Sequence, residues 1–132
     1  MNGTTPPFST SLSMTDSSVI DPQAIENLRA LNPGDNDEFL REIVGIFLED
    51  TPLRLAELDQ SLTTGDLTKF ARAAHSIKGS SSNLGAMALR AAAEKLENRA
   101  RSGGLADIAD LVDVVKTEFD RAASALKALT SR

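Results

Sequence analysis

Apolar side chains return every three or four residues through most of this chain. The clearest run is Leu105, Ile108, Val112, Val115, Phe119, Ala122, Leu126 and Leu129, a heptad-like stripe that a helix gathers onto one side. A second stripe reads Leu40, Ile43, Phe47, Thr51, Leu55, Leu58 and Leu62. It keeps phase across Pro52, which removes a backbone donor and is expected to kink the helix rather than end it. A third holds Leu67, Phe70, Ala74, Ile77, Ser81 and Leu84, and a fourth, over about 86–101, holds Leu89, Ala93, Leu96 and Ala100. A shorter stripe, Ile25, Leu28 and Leu31, lies ahead of them.

The punctuation agrees. Asp21 followed by Pro22 is an N-cap with proline at the first helical position. The stretch "NPGD" stops that helix, and the next begins at Asp35 or Asn36. "TTGD" closes the second helix, Asp66 caps the third, and "SGG" ends the fourth. The pattern predicts an all-α protein: an antiparallel up-down-up-down four-helix bundle with a short additional N-terminal helix packed on it as a lid. Residues 20–130 form the bundle domain. Residues 1–19, rich in Ser, Thr and Pro without apolar period, are expected to be a disordered tail, within which Met14 is as suitable a start as Met1.

Composition narrows the function. A chain of 132 residues is one domain with a single core. Net charge −5 argues against nucleic acid or an anionic membrane as the main partner. With no cysteine, thiol nucleophiles, disulfides and thiolate metal sites are excluded. No apolar run approaches the ~20 residues of a membrane span, and no signal peptide is visible. A cytoplasmic, monomeric protein is expected.

The only histidine, His75, stands in "AAHSIKGSSSNLG", residues 73–85. At about 100° per residue it falls about 110° from the centre of the third stripe and so points to solvent. Ala71, Arg72, Lys78, Gly79 and Ser82 share its side of the helix, three, four or seven positions away. Gly79 is expected directly above the ring, where a side chain would crowd it. A mid-helix glycine costs about 1 kcal/mol against alanine, so its presence asks for a reason. Because Ser81 and Leu84 hold the apolar phase, the helix is read as continuous through Gly79.

An exposed neutral imidazole has one nitrogen free as a nucleophile. A phosphoryl group placed on it would meet the Lys78 ammonium one turn on. At ~4 Å that attraction is about 1 kcal/mol per charge pair in water and about 4 at an effective dielectric of 20, which suits a carrier that must release its cargo. A metal at His75 is not expected, since there is no second histidine and its face lacks carboxylates. Asp107, Asp110 and Asp113 on the last helix read as a solvated face, and Glu38/Glu42 and Glu94/Glu97 as surface pairs. The serine run lacks the Gly-Lys-Ser/Thr ending of a phosphate loop.

With "FLREIVGIFLEDTPLRLAEL" before it and "AMALRAAAEKLE" after it, this centre resembles the histidine phosphotransfer (HPt) domain family. That family reads His-x-Leu-Lys-Gly-Ser-Ser-x-x-Leu-Gly-Ala; here His75 to Ala86 depart only by Ile77 for leucine, and Leu96-Glu97 matches further on. The similarity covers about residues 20–130. It implies a phosphocarrier rather than an enzyme, taking a phosphoryl group from a receiver-domain aspartate and passing it to another response regulator. His75 would be the phospho-acceptor through Nε2, Lys78 would steady the phosphoryl group, and Gly79 would leave room for the receiver's loops. Ala71, Arg72 and Ser82 would belong to the docking surface. The resemblance implies no cofactor in this chain, with Mg²⁺ held by the receiver, and a hybrid sensor histidine kinase upstream, of which the chain could be an excised end. A receiver- or kinase-docking module that carries no phosphate is the alternative, and a purely structural bundle a third reading.

Overall fold

The computed structural model describes residues 19–131; the expected tail falls almost wholly outside them. Among the described residues five helices follow in order: α1 Pro22–Leu31, α2 Glu38–Thr64, α3 Leu67–Asn83, α4 Met87–Gly103 and α5 Ala109–Thr130. The described residues contain no strand. Consecutive long helices pack pairwise, and α5 returns against α2, closing a four-helix bundle. Among the described residues, no helix is long and apolar enough to cross a membrane.

The predicted caps form. The Asp21 side chain accepts from the Gln23 N–H at 3.0 Å and the Asp66 side chain from the Lys69 N–H at 3.0 Å. Each ties off a donor with no intrahelical partner. α2 runs unbroken through Pro52, which lies on its exposed side. It starts later than expected, because Asn36 and Asp37 take left-handed conformations (φ 58° and 63°) and helix begins only at Glu38. Arg29 holds that junction, donating from Nε to Asp37 at 3.0 Å and pairing with Glu26.

Phe70, Ile77, Leu58, Leu89, Leu96, Val115 and Leu126 are fully buried and fill the centre. Burying a side chain of this kind contributes about 1.5–3 kcal/mol. Phe47 of α2 meets Phe119 of α5 with ring centroids 5.6 Å apart. Ala74, Ala93 and Ala100 are buried among the larger groups and let the backbones of α3 and α4 come close. Two stripe members depart from expectation: Leu31 is 69% exposed and Leu67 39%, each lying at a helix end where the neighbouring helices do not reach.

The last helix also differs from its sequence pattern. Leu105 and Ile108 pack on the core from the connection before α5, and Ile108 is buried. Asp107, expected on the helix, sits in that connection with φ 55°. The turn between α3 and α4 is held by Gly85, whose φ of +73° favours glycine. Its carbonyl accepts the Asp21 N–H at 2.8 Å, fastening the start of α1 to the end of α3. A groove of about 800 Å³ remains between α1 and the far end of α5.

Candidate functional site

α3 is one helix from Leu67 to Asn83, so Gly79 lies inside it and His75 stands near its middle. The buried stripe is Phe70, Ala73, Ala74, Ile77 and Ser81. His75 points away from it, with its side chain 63% exposed. The helix is secured at both ends: by the Asp66 cap and, past Leu84, by the Ala86 N–H donating to the Ser81 carbonyl at 2.9 Å.

The ring does not stand alone. Nδ1 lies 3.1 Å from Oε2 of Glu97 on α4. The same oxygen accepts from Arg101, Nε at 3.2 Å and Nη2 at 3.0 Å. The other oxygen, Oε1, is 2.9 Å from Lys78 Nζ. That approach is an ion pair off the hydrogen-bond axis, so Oε1 has no aligned donor. A single carboxylate thus binds the imidazole and both neighbouring cations.

Glu97 corrects two expectations. It is 5% exposed, not a surface residue paired with Glu94, and it supplies a carboxylate where the histidine's face was expected to have none. Burial, the strongest single influence on it, pushes its carboxyl upward in pKa. The Lys78 ammonium at 2.9 Å and the hydrogen bonds from Arg101 outweigh burial and hold it below the usual carboxylate value of 4.5. Glu97 is therefore ionised at neutral pH and has no proton to give. The hydrogen on the Nδ1–Oε2 bond belongs to the ring, and in the neutral imidazole the lone pair is then on Nε2.

The sequence did carry a trace of this. Glu97 follows the buried Ala93 by four residues and precedes Arg101 by four, at the edge of the apolar stripe of α4. What periodicity does not supply is which residue of α3 stands opposite.

The other predicted site residues divide. Arg72 and Ser82 are exposed on the wall that carries His75. Lys78 is half-covered, its side chain 23% exposed and tied to Glu97. Ala71 is buried, against the expectation of a docking position. Gly79 is exposed, and a Cβ there would meet nothing within 4 Å. The expected crowding of the ring does not occur, and the open space lies outside the bundle. Ser80 and Ser81 turn their hydroxyls back onto carbonyls of α3, leaving Ser82 as the outward member of the run. Asp107, Asp110 and Asp113 are exposed, and among the described residues no group of three or more His, Asp or Glu side chains is placed to hold a metal ion.

Comparison with known proteins follows the same geometry. The chain is 32% identical over 92 residues to multistep phosphorelay regulator 1 of Schizosaccharomyces pombe, a match covering 67% of this chain and 31% of that protein; the chain thus spans about a third of that relative's length. The crystal structure of histidine-containing phosphotransfer protein B (HptB) from Pseudomonas aeruginosa superposes with a TM-score of 0.78 at 30% identity, over 86% of this chain and 96% of that one. A histidine-containing phosphotransfer protein from maize, ZmHP2, shares the fold with a TM-score of 0.77 at 21% identity, over 93% and 91% of the two chains. The Hpt domain model matches residues 42–125, from early α2 to near the end of α5, and the chain belongs to the Hpt domain family, which acts in histidine phosphotransfer within His–Asp relays.

Proposed function

We propose that His75 is the residue that carries the phosphoryl group, accepting it on Nε2 from the aspartyl phosphate of a receiver domain and yielding it to the aspartate of another. The observation that carries this reading is the Nδ1–Oε2 contact with an ionised, buried Glu97. It fixes the tautomer in which Nε2 is both the nucleophilic nitrogen and the exposed one.

In the accepting step the Nε2 lone pair forms a bond to phosphorus as the bond from phosphorus to the aspartyl oxygen breaks. The aspartate leaves as a carboxylate, so no proton need be delivered to it. The ring keeps its Nδ1 hydrogen and becomes positively charged, and Glu97 opposes that charge at 3.1 Å. Lys78, paired with the same carboxylate and one helical turn beyond His75, is assigned to the incoming phosphoryl oxygens, and Gly79, with nothing within 4 Å of an added Cβ, to leaving the approach open. The reverse displacement by a second aspartate regenerates the starting state. Metal and acid–base groups for the aspartate are assigned to the receiver, so this chain acts as a carrier.

The test mixes the protein with phosphorylated receiver domains and seeks acid-labile, base-stable phosphate on it. Wild type is expected to take label and His75→Gln to take none, with the same helical circular dichroism. Equal labelling of the His75→Gln variant would overturn the assignment. Stable binding to receivers without label would favour a docking role.

A further inference from the structure

The two helices that flank His75 carry charge opposite in sign to that of the whole protein. α3 has three basic residues and no carboxylate. α4 has four basic residues against Glu94 and Glu97. Together they are net +5 within a chain of net −5, which leaves −10 on the rest. α2 alone holds six carboxylates against two arginines.

Lys78 and Arg101 pair with Glu97 and Arg90 with Glu94, and the rest of the positive charge is displayed. Arg72, one turn before His75, is exposed, as are Lys95 and Arg99 further round α4. None of the three joins an ion pair among the described residues. Arg101 stays 59% exposed while bound to Glu97. Packed helices lie about 8–10 Å apart, so the bundle is an electric dipole whose positive side is the α3–α4 pair, which bears His75. Such a field turns an approaching acidic surface toward that wall before contact and raises the rate of productive encounter.

We propose that the α3–α4 face is an electrostatic docking surface for a protein whose reactive pocket is rimmed by Asp and Glu side chains, and that it hastens arrival at His75 more than it tightens the final complex. The inference rests on the relay reading above and names the chemistry of the partner's contact surface. An extended polyanion such as nucleic acid or an anionic lipid surface fits less well. Its charge spreads wider than two helices and meets the carboxylates of α2 as well.

The test uses the full chain and a panel of receiver domains from the same genome, taking forward each receiver that exchanges phosphate with it. Association and dissociation rates are measured at 50 and 500 mM NaCl. The association rate is expected to fall about tenfold or more across that range, with the dissociation rate changing far less. Arg72→Glu and Arg99→Glu, neither of which touches Glu97, are expected to slow association several-fold at 50 mM and to flatten the salt dependence. Arg121→Glu, on α5 beside Glu118, is the control and should change little. Phosphate exchange with a salt-independent association rate, or an equal effect of Arg121→Glu, overturns this proposal and leaves the relay reading standing. If no receiver exchanges phosphate, the relay reading fails and this proposal with it. Binding at 150 mM NaCl to a 20-base-pair DNA duplex or to phosphatidylserine vesicles, more tightly than to any receiver, overturns the choice of a protein partner.

Discussion

Nδ1 of His75 lies 3.1 Å from Oε2 of Glu97, two residues on different helices and 22 positions apart in sequence. The first side chain is 63% exposed and the second 7%. The pairing gives an outward-facing ring a fixed hydrogen-bond partner, and so a defined reactive nitrogen, without covering it. Replacing Glu97 by alanine is expected to release the ring into a mixture of tautomers, visible in its nitrogen chemical shifts. Phosphate acceptance should slow by about tenfold, the order seen when an orienting partner is removed. Unchanged shifts would show that the contact does not set the tautomer.

The lowered Glu97 carboxyl makes a signed prediction for pH. A carboxyl whose folded pKa lies below its unfolded value contributes stability that is fully present above the unfolded value. That contribution is lost as pH falls through the ordinary carboxylate range, near 4.5, and on through the lower folded value. Wild type should therefore lose more unfolding free energy between pH 7 and pH 3 than Glu97→Gln, compared by urea denaturation at both pH values. Parallel losses would mean that Glu97 contributes nothing to acid sensitivity.

Gly79 separates stability from function. A Cβ at this position meets nothing within the protein, and alanine is favoured over glycine inside a helix by about 1 kcal/mol. Gly79→Ala is expected to raise thermal stability while reducing phosphate exchange with receivers. A loss of stability would show that the helix needs its glycine for its own sake.

Gly85 should behave in the opposite way. A Cβ there would lie 2.6 Å from the Ala24 Cβ and 3.0 Å from the Asp21 carbonyl oxygen, at a φ of +73°. Gly85→Ala is expected to cost about 2 kcal/mol. It should detach the start of α1, with faster amide exchange at Asp21 and through α1 than at His75. Uniform loosening of the whole bundle would show that α1 is not a separable unit.

Much of this was legible in the residues. Apolar spacing located every long helix, and the outward direction of His75 followed from its angle to Phe70, Ala74 and Ile77. Asp21 and Asp66 marked helix starts because a short acceptor side chain at that place serves free backbone donors. The losses have a common origin. Periodicity describes one helix at a time, whereas the register of α3 against α4 decides what faces what. It puts Glu97 under the imidazole and buries Ala71. Leu105 and Ile108 mislead for a related reason: a loop can send apolar side chains into the core at helical spacing, and Asp107 with φ 55° shows that the backbone there is not helical. The family resemblance extended as far as Leu96-Glu97 but left open what Glu97 touches.

The clamping of α3 at both ends has a mechanical consequence. A post fixed at its foot by Asp66 and at its head by the turn carrying Gly85 offers no hinge by which His75 can swing toward a guest. Only rotation within the side chain is left, so the alignment needed for in-line displacement has to be supplied by loops on the visiting molecule. A fixed helix of this kind places the same demand on every visitor.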